Sequence, residues 1–180
     1  MKEISMHILD IATNSIDAEA TLLEINIEDS KINNSLKISI KDNGKGMSEE
    51  VKIKVTDPFY TSRTSRKVGL GIPLLKENCE KCNGYLLIDS YLGMGTKISC
   101  FFERDNIDRA PLGNMGDTIM SIINYARDCE LIYTYKTDAG EFLFNTKEIK
   151  KILQGADIND TSVLLWVKDY INENMLGISI

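Results

Sequence analysis

Asp42-Asn43-Gly44-Lys45-Gly46-Met47 directly follows an alternating apolar run that begins at Leu36. An aspartate at a strand end, followed by two glycines one residue apart, places a carboxylate beside a turn too tight to carry side chains. Such a carboxylate can accept a hydrogen bond from an exocyclic amine, and bare backbone can close over a purine ring. Asp-Asn-Gly is also common turn chemistry, so the neighbouring motifs must decide between a purine site and a plain turn.

Four further motifs surround this stretch in a definite order. They are MHILDIATNSIDA at 6–18, DPFYTS at 57–62, GLGIP at 69–73 and GMGT at 93–96. Together, the five motifs resemble the N, G1, F, G2 and G3 boxes of the GHKL ATP-binding family, which includes DNA gyrase, the heat-shock-ninety chaperones, histidine kinases and mismatch-repair ATPases. The resemblance covers roughly residues 4 to 103. It implies an α/β (α+β) fold, a two-layer sandwich of the Bergerat type with a mixed, largely antiparallel sheet.

The local patterns up to residue 103 agree with that implied fold. They predict helices at 5–18, after Ser48 and at 71–82, and strands near 23–27, 36–40, 85–91 and 96–103. Ser5 and Ser48 are the candidate caps of the first two helices. This order predicts helices that cover one face of a sheet.

The chain beyond residue 103 carries no catalytic motif. Its pattern predicts a helix from Asp117 as cap to about Cys129, a hairpin of 131–135 and 141–144, a short helix after Thr146 and a last helix near 163–172. We therefore predict an ATP-binding domain at 1–103 and a small C-terminal α+β domain or extension, of unknown role, at 104–180.

Composition limits the classes of partner. The 180 residues carry a net charge of −6 with a pI near 4.9, which argues against nucleic acid or an anionic membrane as the main partner. No apolar run approaches the roughly 20 residues of a membrane span, and the N-terminus lacks a signal-peptide core. We expect a cytoplasmic protein that binds nucleotide, ATP or ADP, and a separate protein partner. A homodimer stays open.

The cysteines and the single histidine suggest other chemistry less strongly. Cys79 and Cys82 form a Cys-x-x-Cys pair, but no second close pair completes a metal-ligand set, so we predict reduced structural thiols. Histidine kinases of the resembling family carry the phosphoacceptor histidine on a separate helix ahead of the ATP domain. We therefore expect His7 to make a local hydrogen bond rather than to accept a phosphoryl group.

The resemblance implies where the adenine end would lie. Asp42 would accept from the adenine amino group, partly through a water, and Gly44 and Gly46 would let backbone approach the ring. Met47 and Thr96 would support the same end. An alternative for Thr96 is a plain threonine at the start of a strand.

The phosphate end is implied by the remaining motifs. Asn14 would bind Mg²⁺ through its amide oxygen, a hard ligand of the kind Mg²⁺ prefers. Glycines that open a helix favour phosphate, because free backbone amides and the helix dipole point at it. The loop before that helix resembles a short ATP lid whose cations either touch phosphates or stay solvated. The residues concerned are Thr61, Arg63, Arg66, Lys67, Gly69, Leu70 and Gly71.

Asp10 departs from the family's best-defined patterns. Gyrase, the chaperones and the mismatch-repair enzymes carry a glutamate four residues before the magnesium asparagine, as general base, whereas histidine kinases commonly carry asparagine there. Aspartate keeps the carboxylate but is one methylene shorter, so catalysis, metal-shell positioning and plain helix polarity all stay open for Asp10. Two functions follow: slow turnover of Mg-ATP, as an ATPase or a protein kinase acting on a partner, or non-catalytic nucleotide sensing that regulates a partner.

Overall fold

The computed structural model describes residues 3–56, 71–126 and 128–180. These ranges contain helices and strands in a mixed order. The elements are α1 (Ile4–Asp17), β1 (Leu22–Ser30), β2 (Ser35–Asp42), α2 (Glu49–Val55), α3 (Gly71–Lys81), β3 (Tyr85–Tyr91), β4 (Gly95–Glu103), α4 (Met115–Tyr125), β5 (Glu130–Thr137), β6 (Glu141–Asn145), α5 (Thr146–Ile152) and α6 (Thr161–Gly177).

The strands form one six-stranded sheet in the order β3-β4-β2-β1-β5-β6. Four of its five pairings are antiparallel, and β1 pairs with β5 in parallel. The sheet is therefore mixed and largely antiparallel, which confirms the predicted fold class.

One face of the sheet is buried, because apolar and polar residues alternate along its strands. On β1 and β2 the buried positions include Leu23, Ile25 and Ile40, and α1 covers them with Ile8 and Ile11. Fully burying each such side chain contributes about 1.5–3 kcal/mol before entropic costs. This packing holds α1 across the sheet, with one side of the helix beside the end of β2.

The segment after residue 103 extends the same sheet and core. β5 runs beside β1 from the pair Leu22–Glu130 onward, and α4 packs against both α1 and α6. At the far end of the sheet, Asp138 accepts a hydrogen bond from Ser30 Oγ at 2.8 Å. The division between 1–103 and 104–180 stays a prediction, and hydrogen bonds between strands cross it.

Three predicted helix starts have different outcomes. Ser48 caps α2 by accepting from the Val51 amide, which confirms the prediction. The prediction for Ser5 was wrong, because α1 begins at Ile4 and Ser5 is buried within its first turn. The prediction for Asp117 was also wrong.

Asn114 caps α4 instead, by accepting from the Asp117 amide at 3.0 Å, so the helix starts one turn earlier than predicted. It also ends earlier, at Tyr125 rather than near Cys129, because the chain must turn there to enter β5.

The structure also describes the four cysteines and the membrane-spanning potential of the helices. The four cysteines are buried and unbridged, and a hydrogen bond that the Cys100 thiol donates to Cys79, together with burial, raises the pKa of that thiol. None of the helices in 3–56, 71–126 and 128–180 combines the length and apolar character needed to cross a membrane.

Candidate nucleotide-binding site

Asp42, the last residue of β2, lies almost buried at the centre of the candidate site, with 8% of its surface exposed. Its Oδ1 accepts from the backbone amides of Gly44 at 2.9 Å and Thr96 at 3.2 Å. Its Oδ2 accepts from Ser15 Oγ at 2.6 Å. An ionised carboxylate has about four acceptor positions, so Oδ2 retains one for a further donor.

A cavity of about 200 Å³ lies beside this carboxylate. Its polar lining includes Asn14, Ser15, Asp42 and Thr96. Its apolar lining includes Ile11, Met47, Val51, Val55, Ile72 and Ile98. An apolar slot with a few fixed polar groups is typical of a small-molecule site, and here it suits a planar ring that carries an amine.

Ser90, 1% exposed on β3, joins the two loops that border the cavity. Its Oγ accepts from the Met47 amide at 2.8 Å and lies 3.0 Å from the Gly95 carbonyl oxygen, to which it donates. The Thr96 hydroxyl lies 2.8 Å away. Because Ser90 has one proton, Thr96 must be the donor in that contact, which fixes the rotamer of the Thr96 side chain.

The glycines after Asp42 are required by contacts with other backbone segments. A Cβ at Gly44 would lie 2.7 Å from the Ala18 carbonyl oxygen. Gly46 has a φ of +66°, and a Cβ there would overlap the Tyr91 carbonyl oxygen. The turn at 43–47 therefore packs between the end of α1 and the β3–β4 turn. Larger residues at Gly44 or Gly46 would push these segments apart.

Gly46→Ala should destabilise the fold far more than Gly93→Ala, its matched control. Both positions have positive φ, but a Cβ at Gly93 (φ +77°) meets nothing within 4 Å. Gly93→Ala should lower the free energy of unfolding by about 1–2 kcal/mol, through backbone strain alone. Gly46→Ala should lower it by about 2–5 kcal/mol, because overpacking adds to the strain. Urea unfolding measures both. Equal losses would show that the contact with Tyr91 can relax at no cost.

The predicted phosphate end is formed by α1 and the start of α3. Asp10 and Asn14 are both half-buried and lie one turn apart on the same side of α1. A Cβ at Gly71, the first residue of α3, would lie 2.7 Å from Asp10 Oδ2. The Asp10 carboxylate therefore packs directly against the beginning of α3, while Asn14 borders the cavity.

Several predicted residues of the phosphate end and the lid lie outside the described residues, and their roles stay predictions. They are Thr61, Arg63, Arg66, Lys67, Gly69 and Leu70.

Two hydrogen-bonding residues of the site were missed by sequence reasoning. Ser15 follows Ile4, Ile8 and Ile11 on one buried stripe of α1, so its hydroxyl needed a polar partner in the core. That signal could have identified it. Ser90 had no comparable signal, because its partners depend on how the β3–β4 turn meets residue 47.

Known proteins resemble this chain in sequence and in fold. The sequence profile of the histidine kinase-, DNA gyrase B- and HSP90-like ATPases matches residues 2–106. The chain is 31% identical over 103 residues to a sensor protein of Shewanella frigidimarina, covering 56% of this chain and 16% of that protein. It is 29% identical over 92 residues to the sensor histidine kinase YvrG of Bacillus subtilis, covering 49% of this chain and 16% of that kinase. The ATPase domain of MutL from Aquifex aeolicus, complexed with ADP, aligns at 16% identity and a TM-score of 0.48, over 86% of this chain and 70% of that one.

The profile covers more than half of the chain, so this protein belongs to the histidine kinase-, DNA gyrase B- and HSP90-like ATPase family. The resemblance inferred from the five motifs is thereby confirmed. The chain spans only 16% of the length of each of the two relatives named above.

Proposed function

We propose that this chain binds ATP with Mg²⁺ in the cavity beside Asp42 and turns it over slowly, either as an ATPase or as a protein kinase acting on a separate partner. The proposal includes a cytoplasmic location. Its main support is the Asp42 carboxylate, which keeps a free acceptor position at the end of an apolar slot. A carboxylate in that position accepts the amine of adenine and repels a base that presents a carbonyl oxygen there.

The adenine end is supported by the rigidity of its polar groups. Asp42 is held by donors from three separate segments, at Ser15, Gly44 and Thr96. Preorganised groups lose little conformational freedom on binding, so more of the hydrogen-bond energy contributes to affinity. Thr96, fixed by Ser90, faces the same cavity.

The phosphate end is supported by hard oxygen donors on α1. The Asn14 amide borders the cavity, and Asp10 lies one turn away, so this donor set fits Mg²⁺. Bound Mg²⁺ would neutralise charge on the phosphates. Asn14 would hold it through its amide oxygen, and Asp10 would orient and deprotonate the attacking water. Phosphoryl transfer asks a protein mainly for such positioning and charge neutralisation.

A regulatory module without useful turnover is the second candidate, and the packing of α4 favours it. α4 lies against α1, and the Tyr125 hydroxyl donates to Asp17 Oδ1 at 2.7 Å. A nucleotide that shifts α1 would therefore change the support of the C-terminal segment. Hydrogen exchange in α4 and α6 that differs between ATP and ADP would favour this candidate, and identical exchange would count against it.

Calorimetric titration with ATP tests the proposed binding directly. We expect saturable binding in the presence of Mg²⁺, and weaker binding when EDTA removes the metal, because the phosphate charges then lose their counter-ion. Release of labelled phosphate is followed on the same samples. No saturable binding in either condition would refute the proposal.

A further inference from the structure

The strongest unexplained feature of the described structure is a buried histidine between α1 and α3. His7 is 0% exposed, and its Nε2 lies 3.1 Å from Nδ2 of Asn78 on α3. His7 therefore makes the expected hydrogen bond, but with a partner 71 residues away along the chain. An amide nitrogen only donates, so Nε2 accepts and the ring is neutral, with its proton on Nδ1. That Nδ1 is buried and makes no hydrogen bond of ordinary length and angle among the described residues, although the Gly71 backbone lies close enough to raise the pKa of the ring.

Packing alone does not account for this choice of residue. A leucine would fill a similar volume without placing two polar ring nitrogens in the interior, where each is costly unless it is hydrogen-bonded. Burial lowers the pKa of His7, while the Gly71 backbone and the Asp10 carboxylate act in the opposite direction. Because burial has the larger effect, the neutral ring that accepts from Asn78 is the form present at neutral pH.

The hydrogen bond between His7 and Asn78 joins the same two helices, α1 and α3, that form the predicted phosphate end. His7 lies three residues before Asp10 on α1, and Asn78 lies two turns after Gly71 on α3. The two helices therefore meet at two points: the hydrogen bond between His7 and Asn78, and the contact of Asp10 with Gly71. Two separate points of contact fix both the rotation and the axial position of α3 against α1.

We propose that His7 is a positioning residue for the phosphate end of the site: by accepting from Asn78, its imidazole holds the start of α3 against Asp10. This inference rests on the proposed function, because it assumes that the triphosphate binds at that end. His7 is not among the residues that line the cavity beside Asp42. Its effect should therefore appear only for ligands that carry phosphates.

Four variants test this role through the dissociation constants of Mg-ATP and of adenosine, measured in parallel. His7→Leu keeps the volume and removes the acceptor, so ATP binding should weaken about three- to tenfold, the effect of one neutral hydrogen bond. Adenosine binding should be unchanged. His7→Gln, whose carbonyl oxygen can accept from Asn78, should bind ATP like the wild type.

Asn78→Leu guards against failure of the His7 variants to fold, because Asn78 is only half-buried. It should reproduce the selective loss of ATP affinity. The double variant His7→Leu/Asn78→Leu should lose no more than either single variant, because both remove the same bond.

The outcomes separate this inference from the function on which it rests. ATP and adenosine binding that weaken by equal factors in His7→Leu would overturn the positioning role, as would equal behaviour of the leucine and glutamine variants. In both cases the wild type still binds ATP, so the proposed function survives. A wild type that binds adenosine but gains nothing from the triphosphate would overturn both.

Discussion

Asp42→Asn will weaken the binding of Mg-ATP about ten- to a hundredfold, the loss expected for a hydrogen bond to a charged group. The Gly44 and Thr96 amides both need an acceptor, so the asparagine oxygen must take the place of Oδ1. Its NH₂ group then occupies the place of Oδ2, where Ser15 can turn its hydroxyl to accept. The fold survives, but the cavity now presents a donor to the adenine amine, which is also a donor.

Calorimetric titration with Mg-ATP compares the affinity of Asp42→Asn with that of a control variant, Asp169→Asn. Asp169 is exposed on α6, so its variant carries the same change of charge away from the site. A purine nucleoside triphosphate that lacks the amine provides a further control, because the two variants should bind it almost equally. Unchanged ATP binding by Asp42→Asn would refute its assignment to adenine.

Asp10→Asn will suppress release of the terminal phosphate by about a hundredfold or more, the usual contribution of a general base. The change keeps the size of the side chain and its packing against Gly71, so ATP binding should stay within about twofold, since packing is conserved. Following labelled phosphate at saturating ATP separates the two effects. Asp10→Glu retains a carboxylate, as at the corresponding position of gyrase and the mismatch-repair enzymes, and should retain turnover.

Three other outcomes of the phosphate-release experiment would assign Asp10, or the protein, a different role. Phosphate release by Asp10→Asn at the wild-type rate would exclude Asp10 as the base. Bound but intact ATP in both the wild type and the variant would favour a kinase that needs its protein substrate, or a nucleotide-sensing module. Loss of binding together with turnover would assign Asp10 to the support of the metal or of α3.

The helices and strands up to residue 103 could be predicted from local patterns, because apolar periodicity and turn residues act over a few positions. The helix after Ser48 and the strand at 85–91 are examples, and both are present. The cap of α4 was harder. Asn114 and Asp117 are equally suitable capping residues, and only the path from the preceding loop decides that Asn114 is used.

In the candidate site, the sequence predicted some of the residues but not the contacts between them. Asp42 could be selected because it ends a strand directly before a glycine-rich turn, and Asn14 because its helix resembles the N box of the family. The hydrogen bonds that Ser15 and Thr96 donate to Asp42 could not be predicted, since the two residues lie 27 and 54 positions from it along the chain. The importance of Gly46 was recognised, but its contact with the Tyr91 carbonyl appears only when the β3–β4 turn is in place.

The amino-acid sequence by itself therefore determined the family and the order of helices and strands up to residue 103, because motifs and apolar periodicity act over short stretches of chain. The resemblance to the family then implied the mixed sheet and the residues proposed to meet adenine and Mg²⁺. Only the tertiary structure decided the parallel pairing of β1 with β5, the Ser15 and Ser90 hydrogen bonds, and the contact of His7 with Asn78. Those features join segments distant along the chain. Their geometry follows from strand register and helix packing, which depend on the whole core at once.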